Sequence, residues 1–396
     1  GPAADDITHI KFENDLYAFY AHAPGESLID SSGYSSFRDQ RWVNDTIPGF
    51  YNISDVGTLN GEILLSSNGF GVVNRTASTV LSLELPDDAD VPALLTRDDG
   101  TWVLVYDDED ALLFLQEDGT ILRFASTVVG GSQYTFLQQS TAGTLWLGRA
   151  KAASGLQTYN PIENLDRRIT TTDELPSNVI RDLVIDLEDE AWIATTGGLA
   201  VFPDASFVFD EFGAILPIFD NDILLEGEEI TAITVDGGNR KWVGTNDGLW
   251  VFNSAIDNLD HRFTAENSPL LDNKILELAY DPEKGEMFIL TAQGLCSYQT
   301  GSSAGEPTHR NVSIFPNPVY PEHVGLVTFK GLARDAIIKV TDINGRLVAE
   351  QEALGGTATW DLRDVTGSQV VGGVYLLFSS TADGEDTFVG KVAVIR

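Results

Sequence analysis

The residues most able to do chemistry in this chain are its histidines, its single cysteine and its acidic clusters. His9, His22, His261, His309 and His323 are scattered, with no spacing that suggests metal ligation or a nucleophile–His–acid set. Cys296 stands alone. It can close neither a disulfide within the chain nor a paired-cysteine zinc site, and is expected as a small buried hydrophobe in a strand. Asp107, Asp108, Glu109 and Asp110 are consecutive acids. A calcium loop spaces its oxygens as D-x-D-x-D-G, so this run reads as a solvated turn. Asp87-Asp88 and Glu188-Asp189-Glu190 read the same way. There is no G-x-S-x-G elbow, phosphate-cradling loop or H-E-x-x-H helix. No catalytic residue, cofactor or metal is expected.

Binding chemistry has more candidates. The basic pairs are Arg149 with Lys151, Arg167 with Arg168, and Arg240 with Lys241. Each could meet an anionic ligand, though such a pair more often serves as a solubilising surface pair. The formal net charge of −36 excludes a nonspecific polyanion surface, and nucleic acid with it, because phosphate binding needs a basic face. Trp42 and Trp250 are candidate exposed aromatics for a sugar or protein ligand.

The elements that must position these residues repeat. One copy reads ITAITVDGGNRKWVGTNDGLWVF, residues 230–252, and a second reads IRDLVID, 180–186, followed by EAWIATTGGLAVF, 190–202. Trp192 aligns with Trp242, Thr195 with Thr245, and Gly198-Leu199 with Gly248-Leu249. Weaker copies centre on Ile63, Trp102, Trp146 and Phe288, and a degenerate one on Tyr17. Successive centres from Ile63 lie 39, 44, 46, 50 and 46 residues apart. That period belongs to β-propeller blades. Within each copy apolar and polar residues alternate, as in strands, and Gly/Asn/Asp turns separate the runs. Trp102, Trp146, Trp192 and Trp242 sit mid-strand, where they are expected to pack between blades rather than stack on sugars. Trp42 and Trp250 break that register. Seven blades over residues 5–300 is the expected count, with six the alternative. The last blade, ending near Tyr298, lacks an obvious fourth strand.

At 396 residues the chain has room for more than one domain. It starts Gly1-Pro2 without a methionine, like the scar of a cleaved tag, so residues 1–4 are expected outside the fold. No apolar run approaches the roughly 18 residues that cross a membrane. After Thr300 the repeat stops. GSSAGEPTHR, 301–310, reads as a flexible polar linker. Residues 311–396 then carry short strands: VSIF (312–315) halted by PNP (316–318), AIIKVT (336–341) turned by DING (342–345) into RLVAE (346–350), ATWDL (358–362), GVYLLF (373–378) and KVAVI (391–395). That many short strands in this length predict an immunoglobulin-like β-sandwich. The fold class is therefore all-β.

Two resemblances follow from these residues. Trp242-Val243-Gly244-Thr245 and Gly248-Leu249 are similar to the two-component-regulator propeller repeat. The C-terminal pattern resembles the type A sorting domain of the Bacteroidota type IX secretion system. It is carried by Phe315 with Pro316, Asn317 and Pro318, by Asp342 to Gly345 and Arg346, by Trp360-Asp361, by Gly373 to Tyr375, and by the terminal strand from Lys391. In that family the domain is an address for export across the outer membrane. A surface sortase removes it from ordinary cargo and joins the new end to lipopolysaccharide. The layout, regulator-type propeller plus sorting domain, resembles the PorZ-like surface proteins of the system's attachment complex. There a second propeller precedes this one and the sorting domain is retained. That resemblance implies a non-enzymatic surface protein that binds anionic lipopolysaccharide and presents it to the sortase PorU. Its partners would be PorU, the other attachment-complex proteins and the translocon, and its place the cell surface. No lipopolysaccharide-binding residue carries over. The alternatives are ordinary cargo whose propeller binds a glycan or protein, secreted to the surface or the medium, and a propeller lyase or hydrolase. An acid/base pair gathered in the central channel would favour the last.

Overall fold

The computed structural model describes residues 7–20, 34–45, 52–86, 89–106, 110–125, 134–148, 154–210, 212–381 and 383–396. Among these residues the regular secondary structure is almost entirely strand, with two short 3-10 turns, Thr171–Asp173 and Ala205–Phe209. No helix of these residues is long and apolar enough to cross a membrane. Residue contacts divide it into two compact units.

The first unit carries the propeller. Seven antiparallel sheets follow one another among the described residues, and each repeat centre falls on the second strand of its sheet. Tyr17 lies on Asp15–Tyr20, Ile63 on Glu62–Ser67, Trp102 on Gly100–Tyr106 and Trp146 on Leu145–Gly148. Trp192 lies on Ala191–Thr195, Trp242 on Lys241–Thr245 and Phe288 on Glu286–Thr291. Five sheets have four strands. The fifth has three, with a single antiparallel bridge from Val201 to Ile215 in place of a fourth, and the last sheet also has three.

The repeated letters have local causes. Thr195, Thr245 and Thr291 each donate their hydroxyl to the carbonyl of the glycine three residues on, Gly198, Gly248 or Gly294. The same oxygens accept from the backbone N–H two residues on, at Gly197, Asp247 and Gln293. Those three glycines have φ of 131°, 121° and 132°, a conformation that a side chain would strain. The Asp that ends the first strand closes the preceding turn. Asp186 accepts from the N–H groups of Glu188 and Glu190, and Asp236 from those of Gly238 and Arg240.

The cores lie between sheets. Trp102 packs with Leu137, Leu145 and Tyr159 of the next sheet, Trp146 with Ile180, Ile193 and Phe202, and Trp192 with Ile230, Val243 and Phe252. The ring closes by burying Ile10, Leu16 and Ala18 of the first sheet against Ala279, Phe288 and Leu290 of the last.

The second unit gathers Ser297–Arg396 with Val235–Lys241 and Tyr280–Met287. Its core is a two-sheet sandwich. One sheet orders Ser313–Phe315, Val327–Lys330 and Thr357–Trp360. The other orders Leu347–Glu352, Ile337–Asp342, Gly373–Ser380 and Thr387–Val394. Between them lie Phe329, Ile338, Val340, Trp360, Tyr375, Leu377 and Val392. The stretch 301–310 is not a free linker here. Ser302 and Ser303 are buried, and parallel bridges join Ser303 to Gly355 and Glu306 to Ala333.

Candidate functional site

The first strands of the first five sheets contact one another in succession, so the first strands of the sheets line the propeller axis. Three of them carry a carboxylate at the same register. Asp55 precedes Val56, Asp182 precedes Leu183, and Glu277 precedes Leu278. Each reaches a backbone N–H on the first strand of the next sheet. Asp55 Oδ2 accepts from Leu94 N at 2.8 Å, Asp182 Oδ2 from Ile233 N at 2.8 Å, and Glu277 Oε2 from Ile10 N at 2.7 Å. Asp55 and Asp182 also accept from their own next residue, Val56 or Leu183. These acids staple neighbouring sheets, and the third staple closes the ring.

Basic groups join the cluster. Lys11 Nζ lies 2.9 Å from Asp55 and donates to Leu94 O. His9 Nδ1 lies 2.5 Å from Glu277 Oε1. Burial disfavours charge on His9, but the charge of Glu277 and its hydrogen bond outweigh it and hold the imidazole above its ordinary value. Burial pushes Asp182 up to about 7, the nearby charge of Glu277 adds to it, and the two N–H donors oppose it. Asp182 therefore titrates near neutrality. The carboxylates of Asp182 and Glu277, however, are committed to the backbone of adjacent sheets. Among the described residues no group of three His, Cys, Asp or Glu could hold a metal ion. The sequence offered no signal for these acids beyond their register, since acidic residues are frequent throughout.

A second arrangement lies in the C-terminal unit. His309 Nδ1 is 2.6 Å from Asp386 Oδ2, and His309 Nε2 is 2.7 Å from Ser379 Oγ. The spacing is that of a Ser–His–Asp triad. Ser379 is 3% exposed and the imidazole stacks on Phe388, so no substrate carbonyl reaches the hydroxyl. His309 is 70 residues from Ser379 in sequence, which is why its spacing gave nothing away.

The binding candidates fare unequally. Arg149 and Lys151 lie outside the described residues, as do His22, the acidic runs at 87–88 and 107–109, and residues 1–6. Arg167 pairs with Asp173 at 2.6 Å and donates to the carbonyls of Val208, Asp210 and Phe212; it holds a loop rather than facing a ligand. Arg168 is exposed. Arg240 is 6% exposed, pairs with Asp236 at 2.6 Å and donates to Thr300 O. Lys241 is fully buried. Burial removes both from the set of surface cations. Trp42 is half-buried, 5.2 Å from Phe37. Trp250 is half-buried, its face covered by Arg262 at 4.2 Å. Neither is a free platform. Cys296 is half-buried in its strand, with burial pushing the thiol up, as an inert cysteine requires.

The residues of the sorting-domain pattern all have places in the sandwich. Asn317, between the cis prolines Pro316 and Pro318, donates to Lys391 O and accepts from Ala393 N. Asp342 accepts from the N–H groups of Asn344 and Arg346 around Gly345, whose φ is 81°. Trp360 donates to Arg363 O and meets Tyr375 edge-on at 5.3 Å; Tyr375 donates to Val371 O. Gly373 opens the strand that this tyrosine sits on, and Lys391 is exposed on the last one.

No protein-family model and no curated protein matches the chain. Solved structures do. The fold is similar to that of PorZ, an essential bacterial surface component of the type IX secretion system of Porphyromonas gingivalis. That match has 23% identity and a TM-score of 0.65, and covers 100% of this chain and 60% of PorZ. It is also similar to extracellular domains of two proteins of B. thetaiotaomicron described as hybrid two-component systems. BT3049 gives 14% identity, 99% of this chain, 56% of that one and a TM-score of 0.55. BT4673 gives 11%, 99%, 57% and 0.54. At these identities the likeness is one of fold, and the chain spans about three-fifths of PorZ's length.

Proposed function

We propose that this chain is a PorZ-like, non-enzymatic component at the cell surface, acting in the type IX attachment complex. In this reading it binds anionic lipopolysaccharide and presents it to the sortase PorU, and residues 311–396 belong to a sorting domain that is kept. The observation that supports it is a fold likeness to PorZ running through the whole chain, joined to a C-terminal pattern whose residues are all used in one sandwich. The charge balance adds a condition. A chain of net charge −36 repels an anionic polymer at long range, so recognition has to come from local hydrogen bonds. Salt then screens repulsion rather than attraction. The test is binding of purified lipopolysaccharide from the source organism, measured across a salt series. Affinity that holds or rises with salt supports the reading. No binding at any salt sinks it.

A second reading, a propeller lyase or hydrolase, has one observation in its favour: the His9–Glu277 pair beside the axis. It predicts that His9→Ala abolishes turnover of a polysaccharide while the fold survives. The staple reading predicts a lower melting temperature and no turnover in either protein.

A further inference from the structure

We propose that residues 300–310 form a latched strap of the C-terminal unit, with His309 as the latch, so that this stretch opens only when the unit around it opens. The inference is independent of the secretion reading and rests on contacts within one unit. Along the strap, Ser303 N donates to Leu354 O and Ser303 O accepts from Gly356 N. Ser303 Oγ lies 2.7 Å from Thr357 Oγ1. Ala304 N donates to Pro282 O, Arg334 N to Glu306 O, and Arg310 N to Gly331 O. Thr300 Oγ1 donates to Gly285 O at 2.8 Å.

The packing leaves no slack. A Cβ on Gly355 would stand 2.1 Å from Ser303 O, one on Gly285 1.8 Å from Ser302 O, and one on Gly305 2.8 Å from Gly355 C. Backbone meets backbone at each point, so glycine is required there.

The latch fixes the far end. Asp386 accepts from the His309 N–H and from Nδ1, and those bonds hold its carboxyl below the usual carboxylate range. An ionised carboxylate only accepts, so Nδ1 carries the proton. Nε2 then accepts a hydrogen bond from the Ser379 hydroxyl, or donates to Ser379 Oγ when the ring is charged. A hydroxyl rotates to suit either state, so the latch stays shut whether or not His309 is protonated.

Hydrogen exchange of the full chain, read by mass spectrometry, tests this. Amides of 300–310 should exchange about a hundredfold more slowly than a free peptide, in step with Gly373–Ser380. Free-peptide rates in 300–310 would overturn the proposal. In His309→Ala, protection of the strap should fall by about tenfold or more and trypsin should cut after Arg310. His323→Ala, at a half-buried histidine of the same unit whose ring reaches Leu326 O rather than the strap, should change neither. Ser379→Ala removes only a hydroxyl and covers the case in which His309→Ala fails to fold. It should loosen 300–310 while Gly373–Ser380 stays protected, and equal protection of the strap in wild type and Ser379→Ala would refute the latch.

Discussion

Individual residues divide into those whose role followed from spacing and those whose role needed the fold. Trp102, Trp146 and Trp192 were legible as inter-sheet packing because their period repeats. Arg240 was not. As half of a basic pair it reads as surface, yet its guanidinium is held by Asp236 and Thr300 O inside the C-terminal unit. No local pattern separates a buried Arg–Asp pair from an exposed one. Removing it takes the guanidinium from buried Asp236 and leaves that carboxylate to backbone N–H donors such as those of Gly238 and residue 240, so Arg240→Ala should cost about 3–5 kcal/mol in denaturant unfolding. A cost under about 1 kcal/mol would place the pair in solvent. In the sandwich, Trp360→Ala should cost about 3–5 kcal/mol, because the indole fills the core and meets Tyr375.

At the scale of elements, the alternating runs and Gly/Asp turns placed all seven repeat centres on second strands. What periodicity did not reach was the contact between elements. The staples from Asp55, Asp182 and Glu277 occupy a shared register, but in so acidic a chain that register carries no statistical weight. The strap is the same case. GSSAGEPTHR has a linker's composition, and small residues also suit a segment pressed between backbones. Glycine substitutions separate tight elements from open turns. Gly155 has φ of 75° and a Cβ there would lie 2.1 Å from Ile169 O. Gly61 has the same φ with open space around it. Gly61→Ala should cost about 1 kcal/mol and Gly155→Ala at least about 2–3 kcal/mol, since it adds a backbone clash to the strained φ. Thermal or chemical melts of the two variants decide it, and equal costs would mean that the outer edge of the fourth sheet yields freely.

For the whole molecule, acidity and the axial cluster act in one direction. Asp182 is pushed up to about 7, so it holds its proton in the folded chain at pH values where the unfolded chain has lost it. Stability from that difference is lost as pH rises from the ordinary carboxylate range to about 7. His9 is raised as well. Its contribution is full below the ordinary imidazole value and disappears as pH rises through the folded one. The melting temperature should therefore fall between about pH 5 and pH 8, and Asp182→Asn should flatten the lower part of that slope. An unchanged slope in Asp182→Asn would assign it to general charge repulsion instead. The central claim is a surface component whose C-terminal unit stays attached, and it is tested most directly on the native protein. Taken from the cell surface of the source organism and read by mass spectrometry, its chain should run through Arg396 without a conjugate and should co-purify with a sortase. A chain ending between residues 297 and 311 and joined to lipopolysaccharide would contradict the account and make the protein ordinary cargo.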